Sequence, residues 1–213
     1  MPIKKITRYA NEDGFVFNHE PIEETLSIRE KPDGYEARYL VIDEDPISPA
    51  DINDAGLFLV AYHRQCTIKS HYISEKQYDR LRTDRLSLDE YERDWDEWES
   101  KYHIFPLQAY IHGGVFLFLN GDGNNPDSLW DLSPVGCVFV CKALWEDCTG
   151  AKDAARSLVD EWNSYLAGDI YGCALDTYDQ KKKPIDQHIY WGYYRHDHAM
   201  KELENLHLAC EIT

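Results

Sequence analysis

The chain has 213 residues, 43% of them hydrophobic and 29% charged, with 39 acids against 22 bases and a formal charge of −17. That balance excludes an ordinary nucleic-acid binder, which carries a basic footprint, and opposes adsorption to anionic lipid. Apolar runs such as Val115 to Leu119 are too short to cross a bilayer, and the start Met1-Pro2-Ile3-Lys4-Lys5 lacks the apolar stretch of an export signal.

Asn11-Glu12-Asp13-Gly14 and Lys31-Pro32-Asp33-Gly34 are turn sequences, and Phe15-Val16-Phe17 between them is a short strand. Tyr35 to Ile42 is predicted as a strand, followed by an acidic, proline-broken loop over 43–54. Gly56 to His63 is continuously apolar and β-favouring, which predicts a buried strand. From Ser74 to Tyr102 the pattern is helical, with Ser87-Leu88-Asp89-Glu90 as a capping box. Leu88, Tyr91, Trp95, Trp98 and Tyr102 recur at spacings of three and four and form one stripe about 80° wide.

Ile104 to His112 and Val115 to Asn120 are predicted as a hairpin turning at Gly113-Gly114, and Val135 to Lys142 as another buried strand. Ala151 to Ala167 is a helix with Ala154, Ala155, Leu158, Val159, Trp162 and Leu166 inward and Gly168 as its stop. Tyr171 to Tyr178 and His188 to Tyr194 are a final strand pair around Lys181-Lys182-Lys183-Pro184, and His196 to Cys210 a terminal helix. Strands follow strands and helices are few. The expected fold is α+β, mainly antiparallel sheet with about three to four packed helices, as a single domain over 1–213 with an acidic helical segment at 74–102 inserted between strands.

Six cysteines without an export signal predict a reducing compartment and buried thiols, since Cys137 and Cys141 sit inside an apolar strand. His196-Asp197-His198 is the closest histidine pair. At the start of a helix its rings diverge by about 200°, so no metal is expected and Asp197 is assigned as an N-cap. No nucleophile elbow, phosphate-cradling loop or dinucleotide fingerprint occurs, and no cofactor is expected. Gly121-Asp122-Gly123 is a turn in an acidic loop that repels phosphate. An enzyme alternative rests on His112, Asp131 and Asp169, with Asp176 and His63 as further carboxylate and imidazole candidates.

The sharpest feature is the outer face of the helical segment. Asp89, Glu90, Glu92, Asp94, Asp96, Glu97 and Glu99 stand against a single Arg93. They place one carboxylate about every 3 Å of helix, close to the phosphate spacing of about 3.4 Å along a DNA strand. A solvated outer face is the plain alternative, but like charges three and four residues apart destabilise a helix. Tyr190-Trp191-Gly192-Tyr193-Tyr194 concentrates aromatics, and Trp191, Tyr193 and Tyr194 are expected to anchor a partner.

Several short motifs keep a common order. They are Ile104-Phe105-Pro106-Leu107 with Tyr110, His112 and Gly114; Trp130-Asp131, Ser133, Val135-Gly136, Val138 and Val140; Tyr165-Leu166, Gly168-Asp169 and Tyr171-Gly172; and Trp191-Gly192-Tyr193-Tyr194. On these, and on His63-Arg64, the span 56–194 is similar to a group of uncharacterised proteins from phages and mobile elements of Gram-positive bacteria. Arg195 stands where that group usually has glycine. The resemblance implies a small protein of the host bacterial cytoplasm and carries over no catalytic residues. Together these readings point to an acidic stoichiometric inhibitor, anti-CRISPR or anti-restriction in type. It would occlude or mimic nucleic acid at a basic site of a host defence complex, with no direct nucleic-acid or membrane contact, and a dimer is compatible with the sequence. The alternatives are a small hydrolase or nucleotide-modifying enzyme and a nucleotide-sequestering protein.

Overall fold

The computed structural model describes residues 9–52, 56–82, 88–122 and 132–210, with backbone alone at 80, 82, 88–94 and 207–210. The chain begins with β1 (Tyr9–Ala10), β2 (Val16–Phe17), β3 (Ser27–Lys31) and β4 (Gly34–Ile42), then α1 (Pro49–Ile52), β5 (Leu57–His63) and β6 (Cys66–Ile68). Next come α2 (Glu75–Arg82), α3 (Leu88–Lys101), β7 (Tyr102–Ile111), β8 (Val115–Leu119), β9 (Leu132–Cys141) and α4 (Cys148–Ala167). The chain closes with β10 (Ile170–Asp179), β11 (Pro184–Tyr194) and α5 (His196–Cys210). The fold is mixed α+β, and the strand pairings are antiparallel.

Five helices occur among the described residues, more than the three to four expected. Two features of the sequence hid the difference. The loop over 43–54 contains the single turn α1, and the 74–102 segment is two helices, with Tyr102 already in β7. The box at Ser87 lies outside the described residues, but α2 has one of its own. Ser74 Oγ accepts from the Gln77 amide at 3.2 Å while Gln77 Oε1 accepts from the Ser74 amide at 2.9 Å.

Where the sequence suggests one domain, contacts cluster into two compact units, a central one over Ile47–Ala167 and a terminal one built from Met1–Pro46 and Gly168–Thr213. The central unit is a five-stranded sheet in the order β6-β5-β9-β7-β8. Both of its faces are buried. Leu59, Ala61, Leu107, Val138 and Val140 pack with Ala155, Leu158 and Trp162 of α4. The alternate residues Phe58, Val60, Cys137 and Phe139 pack with Tyr78 of α2 and Trp98 of α3. That is why β5 reads as unbroken apolar sequence rather than as an alternation. Gly136 allows β5 and β9 to approach, since a Cβ there would lie 1.8 Å from the Val60 carbonyl oxygen. Leu166, expected inward, is exposed in the last turn of α4, which Gly168 terminates at φ 70°.

The terminal unit is a four-stranded sheet in the order β11-β10-β4-β3, covered on one face by the β1–β2 ribbon and on the other by α5. Phe15, Phe17, Tyr39, Ala174 and Tyr178 form the ribbon side, while Leu40, Cys173, Ala199 and Leu203 form the α5 side. Arg195 precedes α5 with φ 69°, the left-handed conformation that glycine adopts without strain. Asp197 is therefore not the N-cap. It lies in the first turn and its carboxylate accepts from Arg195 Nη2 at 2.6 Å.

The edge strand β8 is closed by a side chain. Asn163 of α4 accepts from the Leu117 amide at 2.7 Å and donates to the Leu117 carbonyl at 2.9 Å, standing in for a further strand. Asn163→Leu leaves both groups unpaired beside the core. It is expected to lower unfolding free energy by about 3 kcal/mol, read as a shift of the urea midpoint with unchanged slope.

Candidate functional site

α3 presents the acidic face because its opposite face is fixed in the core. Trp98 is 7% exposed and packs edge-on against Phe139 of β9, with ring centroids 5.6 Å apart, and Trp95 meets Trp98 at 6.2 Å. Phe139 in turn stacks on Phe58 at 4.9 Å. On the stripe Trp98 is buried and Trp95 half-buried, Tyr102 packs half-buried from β7 rather than from the helix, and Leu88 and Tyr91 lie on backbone-only positions. With Trp98 inward, Asp96, Glu97 and Glu99 are exposed. Asp89, Glu90, Glu92 and Asp94 belong to α3, with side chains outside the description.

The exposed acids are not equivalent. Glu97 pairs with Lys101 at 2.7 Å and holds that ammonium above its ordinary pKa. Glu99 accepts from the Trp95 indole N–H at 2.6 Å, which spends no positive charge. Asp96 has no ion-pair partner among the described residues. The two cations at this end, Lys101 and the Lys142 ammonium on the Glu99 carbonyl, cluster at the helix C-terminus, where the macrodipole favours them.

The aromatic anchors lie in the other compact unit. Trp191 is 45% exposed on β11, with His19 edge-on at 5.5 Å, while Tyr193 and Tyr194 are half-buried and Tyr193 faces His198. Gly172 leaves room for the Trp191 indole, because a Cβ there would meet its ring at 2.5 Å.

The enzyme candidates are not drawn together in one unit. His112 is exposed beside the β7–β8 turn of the central unit, Asp169 is half-buried in the terminal unit, and Asp131 lies outside the described residues. Asp169 neighbours Tyr171, whose hydroxyl is pushed up to about 12 by burial and by that carboxylate. The rings of His196 and His198 face Tyr171 and Tyr193 respectively, and no group of three metal-holding side chains occurs among the described residues. Cys66, Cys137 and Cys173 are buried free thiols, and burial pushes Cys137 up to about 12, whereas Cys148 is exposed.

Two open cavities mark the central unit. One of about 650 Å³ is lined by His63, Arg64, Lys69, Glu75 and Tyr78, and the Lys69 ammonium pairs with Glu75 at 2.5 Å. The other, about 390 Å³, lies between β8 and α4 and is lined by Phe116, Phe118, Asp122, Lys152 and Arg156. There Asp122 is not a bare acid. Arg156 donates from Nε and Nη2 at 2.8 Å each, Lys152 lies at 2.8 Å, and together these cations hold the carboxyl well below the usual carboxylate range against a smaller effect of burial. Neither His112 nor Asp169 lines either cavity.

The residue that sequence could not rank is Asp176, 2% exposed on β10. Its Oδ2 accepts from the hydroxyls of Tyr39 at 2.8 Å and Tyr178 at 3.0 Å and from Gln187 Nε2 at 3.1 Å, while Oδ1 is buried without a hydrogen-bond partner among the described residues. Acidic residues are common in this chain, and only the register opposite Ala37 and Gln187 puts this one inside.

No known protein family, curated protein or solved structure matches the chain. Among the described residues no helix is long and apolar enough to cross a membrane.

Two outcomes follow from this geometry. Trp98→Ala removes the anchor of α3 and is expected to cost about 3–5 kcal/mol, with loss of near-UV circular dichroism from the tryptophan cluster. Asp122 has a folded pKa below its unfolded value, so its stabilising effect is present above the unfolded pKa and disappears as pH falls through the folded one. Asp122→Asn is expected to lower Tm at neutral pH by a few degrees and to flatten its fall below about pH 4, measured by thermal scans across pH.

Proposed function

We propose that this protein is a stoichiometric, acidic inhibitor that places the outer face of α3 in a basic, nucleic-acid-handling site of a host defence complex. The observation that carries the reading is the exposure of Asp96, Glu97 and Glu99 on a helix whose other side is fixed by Trp98. A carboxylate row on a rigid support offers a positive cleft charge at roughly polyphosphate spacing without the ordering cost of a loose acidic tail. The formal charge of −17 adds long-range steering toward such a cleft, which salt weakens. The phage and mobile-element resemblance supplies the setting, a cytoplasm in which restriction or CRISPR complexes are the targets.

Binding in this reading joins steering by α3 to desolvation of a few anchors. Of the three expected anchors Trp191 is exposed, as is its neighbour Tyr190, while Tyr193 and Tyr194 offer less free surface. No chemical step is required, so the protein acts one-to-one and is consumed by occupancy rather than turnover.

The test uses the full chain as bait in bacterial lysate at low and high salt, with captured proteins identified by mass and challenged with a labelled DNA duplex. The bait is expected to capture a nucleic-acid-handling complex and to displace the duplex from it. The triple variant Glu92→Lys, Asp96→Lys and Glu99→Lys is expected to weaken capture by at least about tenfold and to lower its salt dependence. Capture and salt dependence that the charge reversal leaves unchanged overturn the proposal.

A further inference from the structure

The Asp176 cluster has an arrangement that a structural hydrogen-bond network does not need. Three donors converge on Oδ2 and, among the described residues, none reaches Oδ1, although both oxygens share the charge of an ionised carboxylate. Burial pushes the Asp176 carboxyl above the ordinary aspartate range, while the hydrogen bonds from Tyr39, Tyr178 and Gln187, and the charge of His19, oppose that push.

Tyr178 is the second half of the arrangement. Its hydroxyl has one hydrogen and two acceptors in reach, Asp176 Oδ2 at 3.0 Å and the Val16 carbonyl of β2 at 3.2 Å. The Val16 carbonyl belongs to the β1–β2 ribbon, which also carries Phe15 and Phe17 against the Tyr178 ring. With Asp176 ionised, the hydroxyl hydrogen is drawn to Oδ2 and the ribbon loses that bond. With Asp176 protonated, Oδ2–H donates to Tyr178 Oη, and the tyrosine hydrogen is free to turn to Val16.

We propose that Asp176, Tyr178 and the Val16 carbonyl form a proton-operated latch that fastens the β1–β2 ribbon to the sheet when Asp176 takes up a proton from solvent. The groups facing the carboxyl are Tyr39 from β4, Tyr178 on its own strand, Gln187 from β11 and His19 from the segment after β2. Opposite it on β4 is Ala37. Gln187 links the cluster to the surface, since its Oε1 accepts from the exposed Asn18 amide at 2.7 Å. Lys182 of the adjoining turn is engaged elsewhere, over the Phe15 and Tyr35 rings and on the Asp13 carbonyl at 2.6 Å.

The exchange of the Tyr178 hydroxyl between Asp176 and Val16 fixes the sign, and the direction of the carboxyl's shift agrees with it. A folded pKa above the unfolded one means that the stabilisation is complete at acid pH and is lost as pH rises through the folded value. The latch is therefore closed on the acid side and open on the alkaline side.

Amide hydrogen exchange of the full chain, corrected for intrinsic rates between about pH 5 and pH 8, reads the latch directly. Protection of the Phe15–Phe17 amides is expected to fall about fivefold as pH rises, the worth of one hydrogen bond, while that of the β4 amides Tyr39–Val41 holds. Asp176→Asn, whose amide always donates, is expected to keep the acid level of ribbon protection at every pH. Tyr178→Phe, which keeps the ring packing, is expected to keep the alkaline level. A wild-type ribbon insensitive to pH, a response shared equally by β4, or a Tyr178→Phe chain that retains the pH response overturns the proposal. Should Asp176→Asn fail to fold, carbon-13 titration of the wild-type carboxyls decides. An Asp176 that titrates at or below the ordinary aspartate range overturns it, and one above that range supports it.

Discussion

The central unit is organised by the contact of Phe139 with Phe58 on one side and Trp98 on the other. β9 sends Val138 and Val140 toward α4 and Cys137 and Phe139 toward α3, so one strand serves two cores. A one-residue slip of its register would exchange these sets. Gly136 pins the register, because no other residue lets the Val60 carbonyl approach so closely. The orientation of α3, and with it the exposure of Asp96, Glu97 and Glu99, follows from where that ring pair puts Trp98.

Electrostatics divide the molecule in a consistent way. Bases are scarce and several are committed to particular acids. Lys31 and Arg38 attend Glu36, which burial alone would push up but which these partners hold below its ordinary range. Lys152 and Arg156 clamp Asp122, Lys101 holds Glu97, and Arg195 holds Asp197. The surplus acids are left to solvent or to another molecule. Self-repulsion among them is a cost that the apolar cores of both units offset.

Much of this architecture is legible in the chain because burial writes itself as periodicity. Tyr35 to Ile42, Gly56 to His63 and Val135 to Lys142 fall on β4, β5 and β9, and Gly168 ends α4. What escapes detection has weak or borrowed signals. β3, Ser-Ile-Arg-Glu-Lys, is a polar edge strand, and β6 has only three residues. The strand-like use of Asn163 depends on a helix and an edge meeting across 46 positions. The site is legible only in part: spacing locates the outer face of α3, but the pairing of Glu97, the clamp on Asp122 and the interior position of Asp176 arise from tertiary contacts. Arg195 shows the reverse, since its departure from glycine in the motif coincides with a left-handed backbone.

The division of the chain has a consequence for synthesis. β4 pairs with β10, and Leu40 lies opposite Cys173, so the sheet of the terminal unit closes only after nearly the whole chain has been made. The central unit is continuous in sequence and can fold as soon as α4 has left the ribosome. Until then β3 and β4 have only the β1–β2 ribbon beside them, with Leu40 still without the α5 side of its core and a long loop still to be closed. The nascent protein thus makes the apolar strand β4 early and completes its sheet last.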